Sequence, residues 1–84
     1  MTLAGLFRKG AELLGGTPEA LLESKVLLLA AARIDETRFL ASAEAEADER
    51  TAARFFSSIE KRLAGVPLSY VTGRKEFWSL DLRV

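Results

Sequence analysis

Val26-Leu27-Leu28-Leu29-Ala30-Ala31-Ala32 contains no polar side chain. Wound at about 3.6 residues per turn, it is apolar on every face, and a helix of that kind is surrounded by protein. The run therefore predicts the central helix of an all-α bundle. Thr17-Pro18-Glu19 supplies its start: a capping hydroxyl, a proline in the first turn, and a carboxylate near the positive end of the dipole. The helix is predicted to run to about Arg33.

The flanking segments supply the packing partners. Upstream, Thr2 can cap a first helix whose Leu3, Leu6, Phe7, Ala11 and Leu14 share one face. Gly15-Gly16 closes it, because glycine accepts the left-handed backbone found at helix ends. Downstream, Asp35 is the predicted cap of a short third helix carrying Phe39 and Leu40, and Ser42 to Ala47 reads as a connection. Asp48 then caps a fourth helix in which Ala52, Phe55, Phe56, Ile59 and Leu63 share one face and Arg50, Arg54 and Lys61 the opposite one. Gly65 ends that helix and Pro67 prevents its continuation. A short fifth helix is expected near residues 67–72. Beyond it, Leu80, Leu82 and Val84 alternate with Ser79, Asp81 and Arg83 in the period of a half-buried strand. A lone strand leaves its backbone groups and its apolar face unpartnered, so the chain is expected to continue into further structure.

Composition narrows the chemistry. The 84 residues are 49% hydrophobic and 29% charged, which is globular usage, and 12 acidic residues balance 12 basic ones. No global field therefore draws the chain to nucleic acid or to a membrane surface. The charges are segregated: Asp35, Glu36, Glu44, Glu46, Asp48 and Glu49 fall in the middle, while Arg50, Arg54, Lys61, Arg62, Arg74, Lys75 and Arg83 fall later. The absence of Cys and His removes disulfides, thiol and imidazole catalysis, and His/Cys zinc sites. The longest apolar run is too short to span a bilayer and no signal-peptide pattern opens the chain, so a soluble, cytoplasmic protein is expected.

No residue set reads as catalytic. Glu44 with Glu46, and Asp48 with Glu49, are carboxylate pairs in polar surroundings, best read as solvated. Ser57-Ser58 has no base in reach, and Gly15-Gly16 lacks the repeated glycines and preceding strand of a phosphate loop. Arg50, Arg54 and Lys61 could meet an acidic protein surface or RNA phosphates, although a solvated helix face is the plainer reading. Tyr70, Phe77 and Trp78 lie close to Arg74 and Lys75. They are read as cover for the bundle and for an interface with a further domain rather than as a stacking platform for bases.

Gly65-Val-Pro-Leu-Ser-Tyr-Val-Thr-Gly-Arg-Lys-Glu-Phe-Trp-Ser-Leu80 resembles the G-x-P-x-x-Y-[IV]-x-G-x-x-x-F-x-x-[LH] segment of the HemK/PrmC family. The matching residues are Gly65, Pro67, Tyr70, Val71, Gly73, Glu76, Phe77 and Leu80. Leu27-Leu28-Leu29-Ala30 resembles the leucine-rich second helix of that family, with Ser24-Lys25 or their neighbours in place of its usual aspartate-alanine pair. The family's members are S-adenosylmethionine-dependent methyltransferases acting on a glutamine N5 of peptide-chain release factors. The resemblance implies an N-terminal helical recognition domain over residues 1–73 and the first strand of a β-hairpin connector over residues 74–84. A Rossmann-like catalytic domain that binds the cofactor and is the bundle's intramolecular partner would follow. It implies release factors as the protein partner, with no nucleic acid or membrane involved. No catalytic, cofactor-binding or metal-binding residue is expected within this chain. Gly65, Pro67, Tyr70, Gly73, Glu76 and Phe77 would serve structural and connector roles, and Arg50, Arg54 and Lys61 a partner surface. A free-standing helical adaptor working through an exposed apolar patch is the alternative, and a small RNA binder using Arg50, Arg54, Lys61, Arg74 and Lys75 a weaker third.

Overall fold

The computed structural model describes residues 1–68 and Val71. Four helices lie among them: α1 (Leu3–Leu13), α2 (Pro18–Ala32), α3 (Glu36–Ala41) and α4 (Glu49–Leu63). Each starts on the side chain that the sequence suggests. Thr2 Oγ1 accepts from the Gly5 amide at 3.0 Å and Thr17 Oγ1 from the Ala20 amide at 3.0 Å. Asp35 Oδ1 accepts from the Arg38 amide at 2.8 Å and Asp48 Oδ1 from the Thr51 amide at 2.7 Å. That last bond, with a second from the Thr51 side chain and the nearby Arg54 and Arg50 charges, holds the Asp48 carboxyl below its usual range.

α1 and α4 close in the same way. Gly15 has φ 117° and Gly65 φ 97°, so both adopt the left-handed backbone that glycine takes without penalty. The Gly16 amide then reaches the Ala11 carbonyl at 2.8 Å, and the Val66 amide reaches that of Lys61 at 3.1 Å. These are the six-to-one bonds of a Schellman closure. α2 ends differently, on Arg33 at φ 60°.

α2 packs against α1 on one side and α4 on the other. Leu6, Leu27, Leu28, Phe55 and Ile59 form the fully buried centre. Phe39 of α3 closes one side of the core, its ring edge-to-face with Phe7 at 5.8 Å. Buried Ser24 donates to the Phe7 carbonyl at 2.8 Å, joining α2 to α1. The 42–47 connection is folded against the start of α1. The Leu3 amide donates to the Ala45 carbonyl, the Ala4 amide to that of Ala43, and the Ala47 amide to that of Met1. The Met1 ammonium pairs with the Glu46 carboxylate.

Three expectations need correction. Leu63, on the predicted apolar face of α4, is 57% exposed, because helical period assigns a face but not how far the neighbouring helix reaches along it. Leu40 is 69% exposed: a helix as short as α3 turns one large side chain inward, and Phe39 takes that place. α2 is not covered all round by the described residues, since Leu21 and Leu22 are exposed and Val26 and Ala30 only half-buried. The predicted fifth helix falls largely outside the described residues, although the Val71 amide donates to the Pro67 carbonyl at 3.1 Å within that range. The predicted strand from residue 74 onward lies wholly outside them.

Candidate functional site

Between the end of α2 and the side of α4 lies a cavity of about 420 Å³. Ala30, Ala31 and Arg33 line it from the α2 end, and Ala53, Arg54, Ser57, Ser58 and Lys61 from α4, together with Val71. Small residues explain the space: alanine at the helix–helix contact leaves room that a leucine would fill. Among the described residues the charged groups at its wall are all cationic. Arg33, Arg54 and Lys61 are exposed, and none forms an ion pair with a carboxylate among the described residues.

Arg54 has a fixed position. Its Nε–H donates to the Ala31 carbonyl at 3.0 Å. Ala31 lies in the last turn of α2, where carbonyls have no partner within their own helix. The guanidinium thus satisfies an orphan acceptor and meets the negative end of the α2 dipole, leaving its two terminal nitrogens for other work. Ser58 is committed within α4, donating to the Arg54 carbonyl at 2.9 Å.

Of the predicted partner surface, the structure brings Arg54 and Lys61 to the cavity and leaves Arg50 outside it, exposed one turn earlier on α4. Arg33 takes the third position. Sequence reading missed it because it sits in the α2–α3 link, and only the packing of α2 on α4 carries it to Arg54. Its signal was faint: an arginine immediately after the apolar run, where the helix had to end.

A second cluster ties α2 to the end of α4. Arg62 Nη2 donates to Glu23 Oε2 at 3.3 Å and Nη1 to the Val66 carbonyl at 3.4 Å. Arg62 Nε is buried and lies 3.2 Å from Glu23 Oε1, but its hydrogen is not aimed at that oxygen. With Glu23 and Arg62 both largely covered, this is a structural clamp.

The motif residues divide at the limit of the described region. Gly65 closes α4, and the Pro67 carbonyl accepts from the Val71 amide in the next turn. Tyr70, Gly73, Glu76 and Phe77 lie outside it, as do Arg74, Lys75 and Trp78. Among the described residues no three acidic side chains gather as a metal site, and no helix is long and apolar enough to cross a membrane.

Comparison with known proteins supplies what this geometry leaves open. Release factor glutamine methyltransferase of Moorella thermoacetica is 44% identical over 70 residues, covering 83% of this chain and 25% of the relative. The protein of the same name from Haemophilus influenzae is 37% identical over 68 residues, covering 81% and 23%. That from Bradyrhizobium diazoefficiens is 36% identical over 66 residues, covering 79% and 22%. The chain thus spans about a quarter of the length of the curated relatives it matches. No solved structure gave a significant match. The family model described as the PrmC N-terminal domain matches residues 6–73, a span that holds all four helices but the start of α1, the closing Gly65 and the Pro67 turn. The chain therefore belongs to the PrmC N-terminal domain family.

Proposed function

We propose that this chain is the N-terminal, substrate-positioning part of an S-adenosylmethionine-dependent methyltransferase that modifies a glutamine N5 in peptide-chain release factors in the cytoplasm. The observation that carries this reading is the family match over residues 6–73, joined to relatives named release factor glutamine methyltransferase. On this reading residues 1–73 are the recognition bundle and residues 74–84 begin the connector to a catalytic domain.

The described residues do not suit the cofactor. Gly15, Gly16 and Gly65 stand at helix ends in left-handed backbone, and no strand among the described residues leads into a glycine-rich turn. No chemical step is therefore assigned to this bundle. Its contribution is remote binding energy, which holds a large protein substrate so that a distant glutamine reaches the reacting centre.

The test exchanges residues 1–73 of the full-length protein for an unrelated helical bundle and follows methyl transfer to an intact release factor and to a short glutamine peptide. The expected result is a loss of about tenfold or more in kcat/KM for the intact factor, equivalent to about 1.4 kcal/mol, with the peptide reaction little changed. Equal activity toward the intact factor would overturn the positioning role.

A further inference from the structure

We infer that the cleft at the end of α2 is the docking point for an acidic, extended segment on the surface of the protein substrate, with Arg33, Arg54 and Lys61 as its reading groups. The inference rests on the positioning role proposed above and assigns it to a place on the bundle.

Four observations converge. Among the described residues the charges at the cleft wall are all cationic, in a chain whose charges balance 12 to 12, so the field there is local. Arg54 donates through Nε to the Ala31 carbonyl, which orients the guanidinium, and among the described residues its terminal nitrogens have no partner. That is the preorganised fork suited to a carboxylate. Ala30, Ala31 and Ala53 line the cleft with small side chains, which leaves room for a peptide backbone. Among the described residues no aromatic side chain lines it, and bases of single-stranded RNA need stacking surfaces. Arg33 just past the end of α2, with Arg54 and Lys61 about two turns apart on α4, suits an extended acidic segment better than one small anion.

Arg33 and Lys61 carry the test, because Arg54 also serves the end of α2. In the full-length protein, Arg33→Glu with Lys61→Glu should raise KM for the intact release factor about tenfold at low salt with kcat unchanged. The reaction of a short glutamine peptide should not move. The salt dependence of the intact-factor reaction should flatten, since rim charges act mainly on encounter. Arg33→Gln with Lys61→Gln should give a smaller change in the same direction.

An unchanged KM would overturn the inference while leaving the positioning role to the bundle-exchange result. Equal losses on factor and peptide, or a lowered melting temperature in both variants, would assign the cations to folding and overturn it. Loss of binding to a single-stranded RNA probe, without a change in KM for the factor, would overturn it in favour of nucleic acid.

Discussion

Gly10 lies where α1 packs closely on α2 and α4. A Cβ at this position would lie 2.4 Å from Phe55 Cζ and 2.6 Å from Ser24 Oγ. Both side chains are fully buried, so any shift of the Phe55 ring must displace other core atoms. Gly10→Ala should gain about 1 kcal/mol of helix propensity and lose roughly 1–3 kcal/mol to overpacking. A net loss is expected, seen as a lower urea midpoint at unchanged slope. The sequence reveals α1 through Leu3, Leu6 and Ala11 but not this contact, because a mid-helix glycine carries no sign of what faces it. Arg33 and Arg54 are hidden for the same reason. Their charges are plain in the sequence, while their meeting depends on the height at which α2 crosses α4.

The starts and stops of the elements were far more legible. Thr2, Thr17, Asp35 and Asp48 cap through bonds spanning three residues, so the information is local. Gly65 follows the same logic at the other end of α4. The α2 terminus, an arginine in left-handed backbone, has no such marker. The Asp48 cap also gives α4 a dependence on acidity. Its carboxyl is lowered chiefly by the Thr51 amide, so the carboxylate contributes fully above the ordinary aspartate value of 3.8, and the contribution is lost as pH falls below it. Asp48→Asn keeps an acceptor but does not titrate. The urea midpoint of the wild-type chain should exceed that of the variant near neutrality, and the gap should narrow as pH is lowered below 3.8. A gap that stayed constant would assign the difference to geometry rather than charge.

At the scale of the molecule, α2 is the element on which the others depend, and its apolar run was enough to place it at the centre. Leu28 is fully buried there. Leu28→Ala should cost roughly 2–5 kcal/mol, against a total stability of about 5–15 kcal/mol for an ordinary domain. The melting temperature should fall by about 10 °C or more in calorimetry, using about 4–8 °C per kcal/mol at this size. The apolar run does not reveal that α2 stays open along Leu22, Val26 and Ala30, since a pattern of side chains records hydrophobicity but not which neighbours arrive to cover it. Leu22 and Val26 line a further cavity of about 520 Å³ with Glu19, Glu23 and Leu68.

The fold of the 42–47 connection over the start of α1 orders events during synthesis. The amides of Leu3 and Ala4 find their acceptors on Ala45 and Ala43, which leave the ribosome long after α1 itself. At about 5–20 residues per second, that interval lasts a few seconds. During it α1 can pair with α2, but its first turn stays open to water. The first turn of α1 is thus covered only once the acidic connection has emerged, and α4, made after that connection, brings Phe55 and Ile59 to complete the core.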